Sequence, residues 1–282
     1  MNGLRTAIGF LTRVPIGATD NLADQADRAD VPDQPDEADR GATAGREPVT
    51  VGGAGGGGSV MGAAAPWFPV VGLFIGAAQG AILVGGNQIL PPMPAAVIAV
   101  AAAALITGAF HHDGLADIAD AFGGGWDVEQ RMAILKDSRL GTYGTSALIL
   151  AFATEIAVLA SLDPWQGFRA VIAAHCLSRA IAVGVMFRAP LAGDGLGASY
   201  AADLTPLGAG AASLFGLVVL AIAAGGFLAS LATLLLAVAA AVAVVALAVR
   251  KIGGVTGDVL GAVQQMSSLA ILVAAAADLS RI

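Results

Sequence analysis

The chain has 282 residues, of which 57% are hydrophobic and only 12% are charged. This balance excludes an ordinary soluble domain and indicates an integral membrane protein. The formal charge of −7 is concentrated in residues 20–47, where nine acidic residues and three arginines contribute −6, so the rest of the chain is nearly neutral. The single cysteine, Cys176, excludes an internal disulfide framework and a cysteine-type zinc site, and its apolar neighbours predict that it is buried.

Two segments precede the apolar part of the chain. Residues 1–17 are too short to span a membrane and lack the continuous apolar core of a signal peptide, and Arg5 and Arg13 favour a helix that lies in the membrane interface. Residues 18–60 are rich in Ala, Asp, Pro and Gly and have almost no large apolar side chains, so we interpret them as a disordered insertion. Residues 61–282 are predicted to form a transmembrane catalytic domain.

Seven apolar stretches are predicted to cross the membrane, since a spanning helix needs about 20 mostly apolar residues. The fifth and sixth stretches run together, and Gly225-Gly226 is the predicted turn between them. The predicted fold class is therefore an all-α, polytopic membrane helical bundle of about seven transmembrane helices. The stretches are residues 67–89, 94–110, 145–161, 168–187, 206–226, 227–249 and 259–277.

The distribution of lysine and arginine predicts the orientation, because cytoplasmic loops carry an excess of these residues. A cytoplasmic N-terminus places three basic loops on one side, whereas the opposite loops at Pro91-Pro92 and Asp163-Pro164-Trp165 hold no Lys or Arg. We therefore expect the polar, glycine-rich residues 111–144, 194–197 and 253–258 to meet at one cytoplasmic site. The basic residues are Arg131, Lys136, Arg139, Arg188, Arg250 and Lys251, of which the last two serve equally well as membrane anchors at a helix end.

Three ionisable side chains lie inside the predicted spans, where such groups are costly and therefore suggest a role. Glu155 and Arg179 lie at similar depths in the third and fourth spans, so we predict that they form an ion pair. His175 lies one helical turn from Arg179 and either joins this pair or forms a hydrogen bond within the core.

The segment from His111 to Asp120 holds the strongest chemical signal. Asp113, Asp117 and Asp120 are spaced four and three residues apart, so on a helix their carboxylates project from one face. Grouped hard oxygen ligands suit Mg²⁺, which keeps several waters and completes its shell with substrate phosphate oxygens. We predict that these three aspartates bind Mg²⁺, and the alternative is an acidic helix face exposed to solvent.

The next polar loop supplies candidate groups for phosphate chemistry, which needs positive charge to neutralise the charge that develops on phosphate. Lys136 and Arg139 are the candidates, and Arg139 can bind two oxygens at once. Asp137 and Asp258 are candidates for the same metal or a second one. Either His111 or a metal-bound carboxylate is the candidate for removing a hydroxyl proton.

Five motifs occur in order along the chain, namely His111-x-Asp113-Gly114-Leu115-Ala116-Asp117-x-x-Asp120, Lys136-Asp137-Ser138-Arg139-x-Gly141-Thr142-x-Gly144, Ser178-Arg179-Ala180, Asp194-Gly195-Leu196-Gly197 and Gly253-Gly254-x-Thr256-Gly257-Asp258-x-Leu260-Gly261-Ala262. Taken together, these motifs resemble those of the cobalamin synthase family, the adenosylcobinamide-GDP ribazoletransferases. The similarity covers nearly the whole chain apart from residues 18–60, and it extends to residues 10–15 and 67–72. Two features depart from the family pattern, namely the long insertion and Ser268, at a position that is usually Glu.

This resemblance implies a Mg²⁺-dependent membrane transferase that joins adenosylcobinamide-GDP to α-ribazole or its 5′-phosphate and releases GMP. It implies a multi-pass protein of the bacterial inner membrane whose active site faces the cytoplasm, with the substrates and the lipid bilayer as partners and no nucleic acid. The oligomeric state stays open, and a homo-oligomer is one of the alternatives. The implied catalytic residues are His111, Asp113, Asp117, Lys136 and Asp137, the substrate-binding residues are Lys136, Ser138, Arg139, Thr142, Asp194, Thr256 and Asp258, and the metal ligands are Asp113, Asp117 and Asp120.

Two other interpretations are weighed against this one. A CDP-alcohol-type phosphotransferase or a prenyltransferase also uses aspartates spaced four apart at a membrane surface, but here the third aspartate is followed by Phe122 and three glycines. A transporter would use Glu155, His175 and Arg179 as a coupling site at mid-membrane depth. Against the transporter, the polar sequence is concentrated on one face of the membrane.

Overall fold

The computed structural model describes residues 2–13, 62–192, 201 and 203–277. The disordered insertion predicted at residues 18–60 and the predicted substrate ligand Asp194 lie outside the described residues. The described residues form helices and no β-strand, which confirms the all-α fold class. The helices are α1 (Asn2–Leu11), a 3₁₀ turn (Ala65–Trp67), α2 (Phe68–Gly86), α3 (Pro92–Thr107), α4 (Phe110–Gly124), α5 (Val128–Leu135), α6 (Thr142–Ser161), α7 (Pro164–Arg188), α8 (Pro206–Ala223), α9 (Phe227–Ile252) and α10 (Gly257–Ala276).

Six of the predicted spans are confirmed as helices long and apolar enough to cross a membrane, namely α2, α6, α7, α8, α9 and α10. The turn predicted between the fifth and sixth spans is also confirmed. Helix α8 ends at Ala223, α9 begins at Phe227, and Gly225 adopts a φ of 73°, which glycine accommodates without strain. The chain is therefore a multi-pass membrane bundle.

The second predicted span, residues 94–110, differs from the structure. Helix α3 stops at Thr107 after 16 residues, a length of about 24 Å that falls short of a hydrocarbon core of about 30 Å. Gly108 and Ala109 take left-handed φ values of 63° and 56°, and α4 leaves at 89° to α3. The bent pair makes a seventh crossing only if the two helices count as one span. Gly108 ends α3 because its amide and that of Ala109 return to carbonyls of the last helical turn.

Helices α7 and α10 form the centre of the bundle. Helix α7 packs against α2, α8 and α10, and α10 also contacts α4, α6 and α9. The most extensive of these contacts joins α2 to α7, where Gly72, Gly76 and Gly80 lie directly against backbone or ring atoms of α7. Small residues four apart are typical of tightly packed membrane helices. This contact places the polar residue Gln79 of α2 against the polar face of α7.

The polar loops meet at one end of the bundle. Lys251, at the end of α9, donates from Nζ to the carbonyl oxygen of Phe122 at 2.7 Å, and Arg131 of α5 donates to the carbonyl oxygen of Lys251 at 3.0 Å. A parallel bridge joins Leu191, after α7, to Val255, before α10. We call this end, with the loops after α4, α7 and α9, the site end.

Candidate active site

The carboxylates of α4 lie against the beginning of α10 at the site end. The two helices cross where Gly114 faces Gly261, and a Cβ atom at Gly114 would lie 2.8 Å from the carbonyl oxygen of Asp258. A side chain at Gly114 would therefore force the helices apart. The close approach brings the charge of Asp258 into range of Asp113 and Asp117. The sequence motif names these residues, but their proximity follows from this glycine crossing.

The three aspartates of α4 share one helix face, as predicted, but they differ in exposure. Asp113 is exposed, Asp117 is partly buried and Asp120 is buried. Within the described residues, no side-chain hydrogen bond or ion pair involves Asp113 or Asp117. Two neighbouring carboxylates without a partner repel each other, so a bound cation would stabilise this arrangement.

Asp120 has a different environment from the other two. Its carboxylate oxygens accept hydrogen bonds from the amides of Gly141, at 2.7 Å, and Gly144, at 2.9 Å. A Cβ atom at either glycine would collide with this carboxylate. Asp120 therefore connects α4 to the first turn of α6. Each carboxylate oxygen has a second lone pair, so a metal role for Asp120 stays a prediction.

The loop from Lys136 to Gly141 presents the predicted phosphate-binding side chains at the surface. Lys136, Ser138, Arg139 and Thr142 are exposed. Arg139 donates from Nε and one terminal nitrogen to the Asp137 carboxylate, with a shortest distance of 2.6 Å.

These hydrogen bonds from Arg139 hold the pKa of Asp137 below its ordinary value. The pair therefore persists at neutral pH and is lost only as the pH falls through that lowered pKa. Asp137 is not among the carboxylates whose charge acts on Asp117. Its observed partner is therefore Arg139.

The predicted ligands on α10 lie in its first turn. Thr256 is the N-cap residue, and its hydroxyl accepts the amide of Val259 at 3.3 Å. The same hydroxyl lies 3.4 Å from a carboxylate oxygen of Asp258. Thr256 thus caps the helix and orients Asp258. A role for Thr256 in substrate binding stays a prediction.

His111, one of the two candidates for the general base, faces the interior of the bundle. It is 8% exposed and lines a small cavity together with His175 and Arg179. The charged groups that act on it include Arg179 and none of the α4 aspartates. This position favours the other candidate, a carboxylate of the aspartate cluster, for proton removal.

The predicted ion pair between Glu155 and Arg179 is wrong, because two other side chains lie between them. Gln79 donates from Nε2 to Glu155 at 2.8 Å, and Gln79 Oε1 accepts from His175 Nε2 at 2.7 Å. His175 Nδ1 then accepts from Arg179 at 3.0 Å, and Arg179 also donates to the His175 carbonyl oxygen. The sequence left open whether His175 joins Glu155 and Arg179 or bonds within the core, and its ring in fact lies between Gln79 and Arg179.

His112 extends this buried network toward α4 and α10. Its ring stacks on Phe152 at 4.3 Å, and its Nε2 lies 3.1 Å from Gln265 Nε2 and 4.0 Å from Glu155 Oε2. Sequence reasoning missed His112, Gln79 and Gln265. The sequence did contain a signal for this network, because a polar side chain such as Gln79 inside a spanning segment is costly unless it has a hydrogen-bond partner.

The buried network surrounds a cavity of about 20 Å³ that Ser268 also lines. This space has room for about one water molecule. The Nε atom of Arg179 and the Oε1 atom of Gln264 are both buried without a hydrogen-bond partner among the described residues. Ser268 is therefore part of the wall of this inner cavity and does not belong to the carboxylate cluster at the surface.

Comparisons with known proteins match nearly the whole chain. The family model described as cobalamin-5-phosphate synthase matches residues 48–276. The chain belongs to the cobalamin-5-phosphate synthase family. An adenosylcobinamide-GDP ribazoletransferase of Bradyrhizobium diazoefficiens is 44% identical over 280 residues, which cover 97% of this chain and 93% of the relative.

Proteins with the same name occur among other relatives of this cobalamin-5-phosphate synthase family member. One from Mesorhizobium japonicum is 40% identical over 77% of this chain and 85% of its own length, and one from Shewanella pealeana is 39% identical over 73% and 81%. No solved structure matches the chain. The resemblance inferred from the five motifs is thus confirmed at the level of the family.

The carboxylate cluster of this family member has the chemistry that Mg²⁺ prefers. Asp113 and Asp117 offer hard oxygen atoms without partners among the described residues, and Asp258 adds a third carboxylate nearby. Among the described residues, no group of three or more His, Cys, Asp or Glu side chains is placed so that it could hold a metal ion by itself. Mg²⁺ usually takes one or two carboxylates and completes its shell with waters and substrate phosphates, so the donor set fits this ion.

Proposed function

We propose that the protein is a Mg²⁺-dependent transferase that joins adenosylcobinamide-GDP to α-ribazole or its 5′-phosphate and releases GMP. The observation that carries the proposal is the 44% identity, over 97% of the chain, to a protein named adenosylcobinamide-GDP ribazoletransferase. The CDP-alcohol, prenyltransferase and transporter interpretations receive no such support. The proposed reaction forms one phosphate ester bond and breaks one phosphoanhydride bond.

In the proposed reaction, a ribazole hydroxyl attacks the phosphate attached to cobinamide, and GMP leaves with the bridging oxygen. Asp113 and Asp117, with Asp258 nearby, would hold Mg²⁺, which would neutralise the charge of the diphosphate. The exposed side chains of Lys136 and Arg139 bind phosphate oxygens of the substrate. To do so, the Arg139 guanidinium gives up its hydrogen bonds to the Asp137 carboxylate and forms two hydrogen bonds to the phosphate instead. A carboxylate of the cluster takes the hydroxyl proton, since His111 faces the interior.

We also propose that the site end faces the cytoplasm, in the inner membrane of a bacterial cell. The site end carries six basic residues, which lie in the short helix α5, in loops or at helix ends, namely Arg131, Lys136, Arg139, Arg188, Arg250 and Lys251. Arg169 lies near the opposite end, within the first turns of α7. The excess of basic residues at the site end is the pattern expected of cytoplasmic loops. The substrates are large and charged, so a cytoplasmic site would also have access to them without transport.

The test measures GMP release by the purified, reconstituted protein. We expect release only when adenosylcobinamide-GDP, α-ribazole and Mg²⁺ are all present. Asp117→Asn should abolish release without changing the melting temperature, because its side chain has no partner among the described residues.

Glu129→Gln is the matched control, since Glu129 is exposed on α5 and lies outside the cluster. GMP release without α-ribazole, or near-normal turnover by Asp117→Asn, would contradict the proposal.

A further inference from the structure

A large apolar groove opens between α7, α8 and α9, away from the carboxylate cluster. Its volume is about 520 Å³, and its walls include Leu177 and Gly184 of α7, Ser213 of α8, and Leu234 and Ala246 of α9. The groove exists because α9 packs mainly on α10 and touches α7 and α8 only lightly. A cavity of this size is in the range that holds a small molecule or part of a lipid.

The groove is apolar along its length and charged at one end. Among the described residues that line it, Ser213 and Arg188 are the polar ones, and the Ser213 hydroxyl already donates to the carbonyl oxygen of Ala209 at 2.9 Å. Arg188 ends α7 at the site end and is exposed. An occupant must therefore be apolar over most of its length and polar or negative at the site end.

A second arginine stands at the same end. Arg250 follows Ala246 by four residues, so the two side chains lie on the same face of α9. Both Arg188 and Arg250 are exposed, and neither forms an ion pair with a described residue. Arg188, whose guanidinium lies over the Phe187 ring at 5.7 Å, and Arg250 thus place two positive charges at the same end of the groove. Guanidinium groups are complementary to a phosphate.

The length of the groove matches one leaflet of a bilayer. Leu177 and Arg188 are eleven residues apart on α7, which corresponds to about 16 Å along the helix. Half of the hydrocarbon core of a bilayer is about 15 Å. A lipid acyl chain that starts at the level of the arginines would therefore end near the inner limit of the groove.

We propose that this groove binds an anionic phospholipid, with one acyl chain between α7, α8 and α9 and its phosphate at Arg188 and Arg250. Basic residues beside a gap between membrane helices are a recognised setting for anionic lipid heads. Gly184 lines the groove and borders its free space, since a Cβ atom at this position would meet no atom within 4 Å. A larger side chain at Gly184 would occupy the groove without a clash.

The test uses native mass spectrometry of the full chain mixed with equal amounts of phosphatidylglycerol and phosphatidylcholine. We expect the protein to retain phosphatidylglycerol preferentially. Each arginine near an anionic head group strengthens binding of the anionic lipid about fivefold. The double variant Arg188→Gln with Arg250→Gln should therefore reduce the preference for phosphatidylglycerol over phosphatidylcholine roughly 25-fold. Arg169→Gln, which removes an exposed arginine at the other end of α7, should not change it.

A second pair of variants tests the acyl chain. Gly184→Leu should lower retention of phosphatidylglycerol, whereas Gly210→Leu on α8 should not, because Gly210 also faces open space but does not line the groove. Equal retention of the two lipids, an unchanged preference in the double arginine variant, or normal retention in Gly184→Leu would each overturn the proposal. Loss of a dimer instead of a lipid in Gly184→Leu would assign the groove to a second copy of the chain and would also overturn it.

Discussion

The amide of Gly141 donates a hydrogen bond of 2.7 Å to the carboxylate of Asp120. This contact joins the buried end of the aspartate row to the loop that carries the phosphate-binding candidates. The carboxylate also accepts the amide of Gly144, so one side chain satisfies two of the free amides at the start of α6. The position of the Lys136–Arg139 loop relative to α4 therefore depends on Asp120.

We predict that Asp120→Asn lowers the stability of the protein. An asparagine has one acceptor oxygen and an amino group that donates, so one of the two glycine amides would lose its partner. Loss of a buried hydrogen bond of this kind costs about 1–3 kcal/mol. Thermal unfolding in detergent without Mg²⁺ measures the change. Asp113→Asn is the control, since Asp113 is exposed, and an equal melting temperature for the two variants would mean that Asp120 does not hold the loop.

We predict that Gly114→Ala reduces GMP release by separating α4 from α10. The added methyl group would lie 2.8 Å from the Asp258 carbonyl oxygen, so the helices must move apart and Asp258 moves away from Asp113 and Asp117. Overpacking of this kind costs about 1–3 kcal/mol. Gly124→Ala, on the same helix, is the control because its Cβ would make an ordinary contact of 3.7 Å with Ile134. Equal activity of the two alanine variants would show that the crossing is not required.

We predict that Gln79→Leu destabilises the bundle more than Glu155→Gln does. A glutamine at position 155 still offers an oxygen to Gln79, whereas a leucine at position 79 removes the partner of both Glu155 and His175. Each buried polar group left without a partner costs about 1–3 kcal/mol. Melting temperatures measure the difference. Gln88→Leu, at an exposed site just beyond the end of α2, should change the melting temperature little, and a greater loss in Glu155→Gln than in Gln79→Leu would argue for a direct pair with Arg179.

We predict that Arg139→Lys weakens binding of the activated corrinoid more than binding of α-ribazole. Lysine keeps the positive charge but loses the planar fork that can hold two phosphate oxygens, and only the corrinoid substrate carries a diphosphate. KM values for the two substrates, measured by GMP release, separate the effects. Arg169→Lys is the control, because Arg169 lies near the end of α7 that is farthest from the site end, and this change should alter neither KM. A larger rise in the KM for α-ribazole would place Arg139 elsewhere in the site.

The helix that carries the aspartates was predictable because its signal is local. The spacing of Asp113, Asp117 and Asp120 requires only the helical period, and α4 does place them on one face. The lengths of the apolar stretches predicted seven spans, and six of them are confirmed, since the thickness of the bilayer sets the length of a spanning helix. The bend at Gly108-Ala109 was missed because apolar residues continue through it, and only the left-handed backbone of these two residues ends the helix.

The sequence alone determined the membrane class, the helical composition, the family motifs and the segments that carry charge. The tertiary structure decided which side chains meet: Asp258 beside Asp113 and Asp117, Asp120 at the amides of α6, and Gln79 and His175 between Glu155 and Arg179. The physical reason is that membrane helices are apolar on most sides, so their hydropathy specifies length but not rotation. Rotation and partner are determined by close glycine contacts and by the need of each buried polar group for a hydrogen bond, and both depend on the packed bundle.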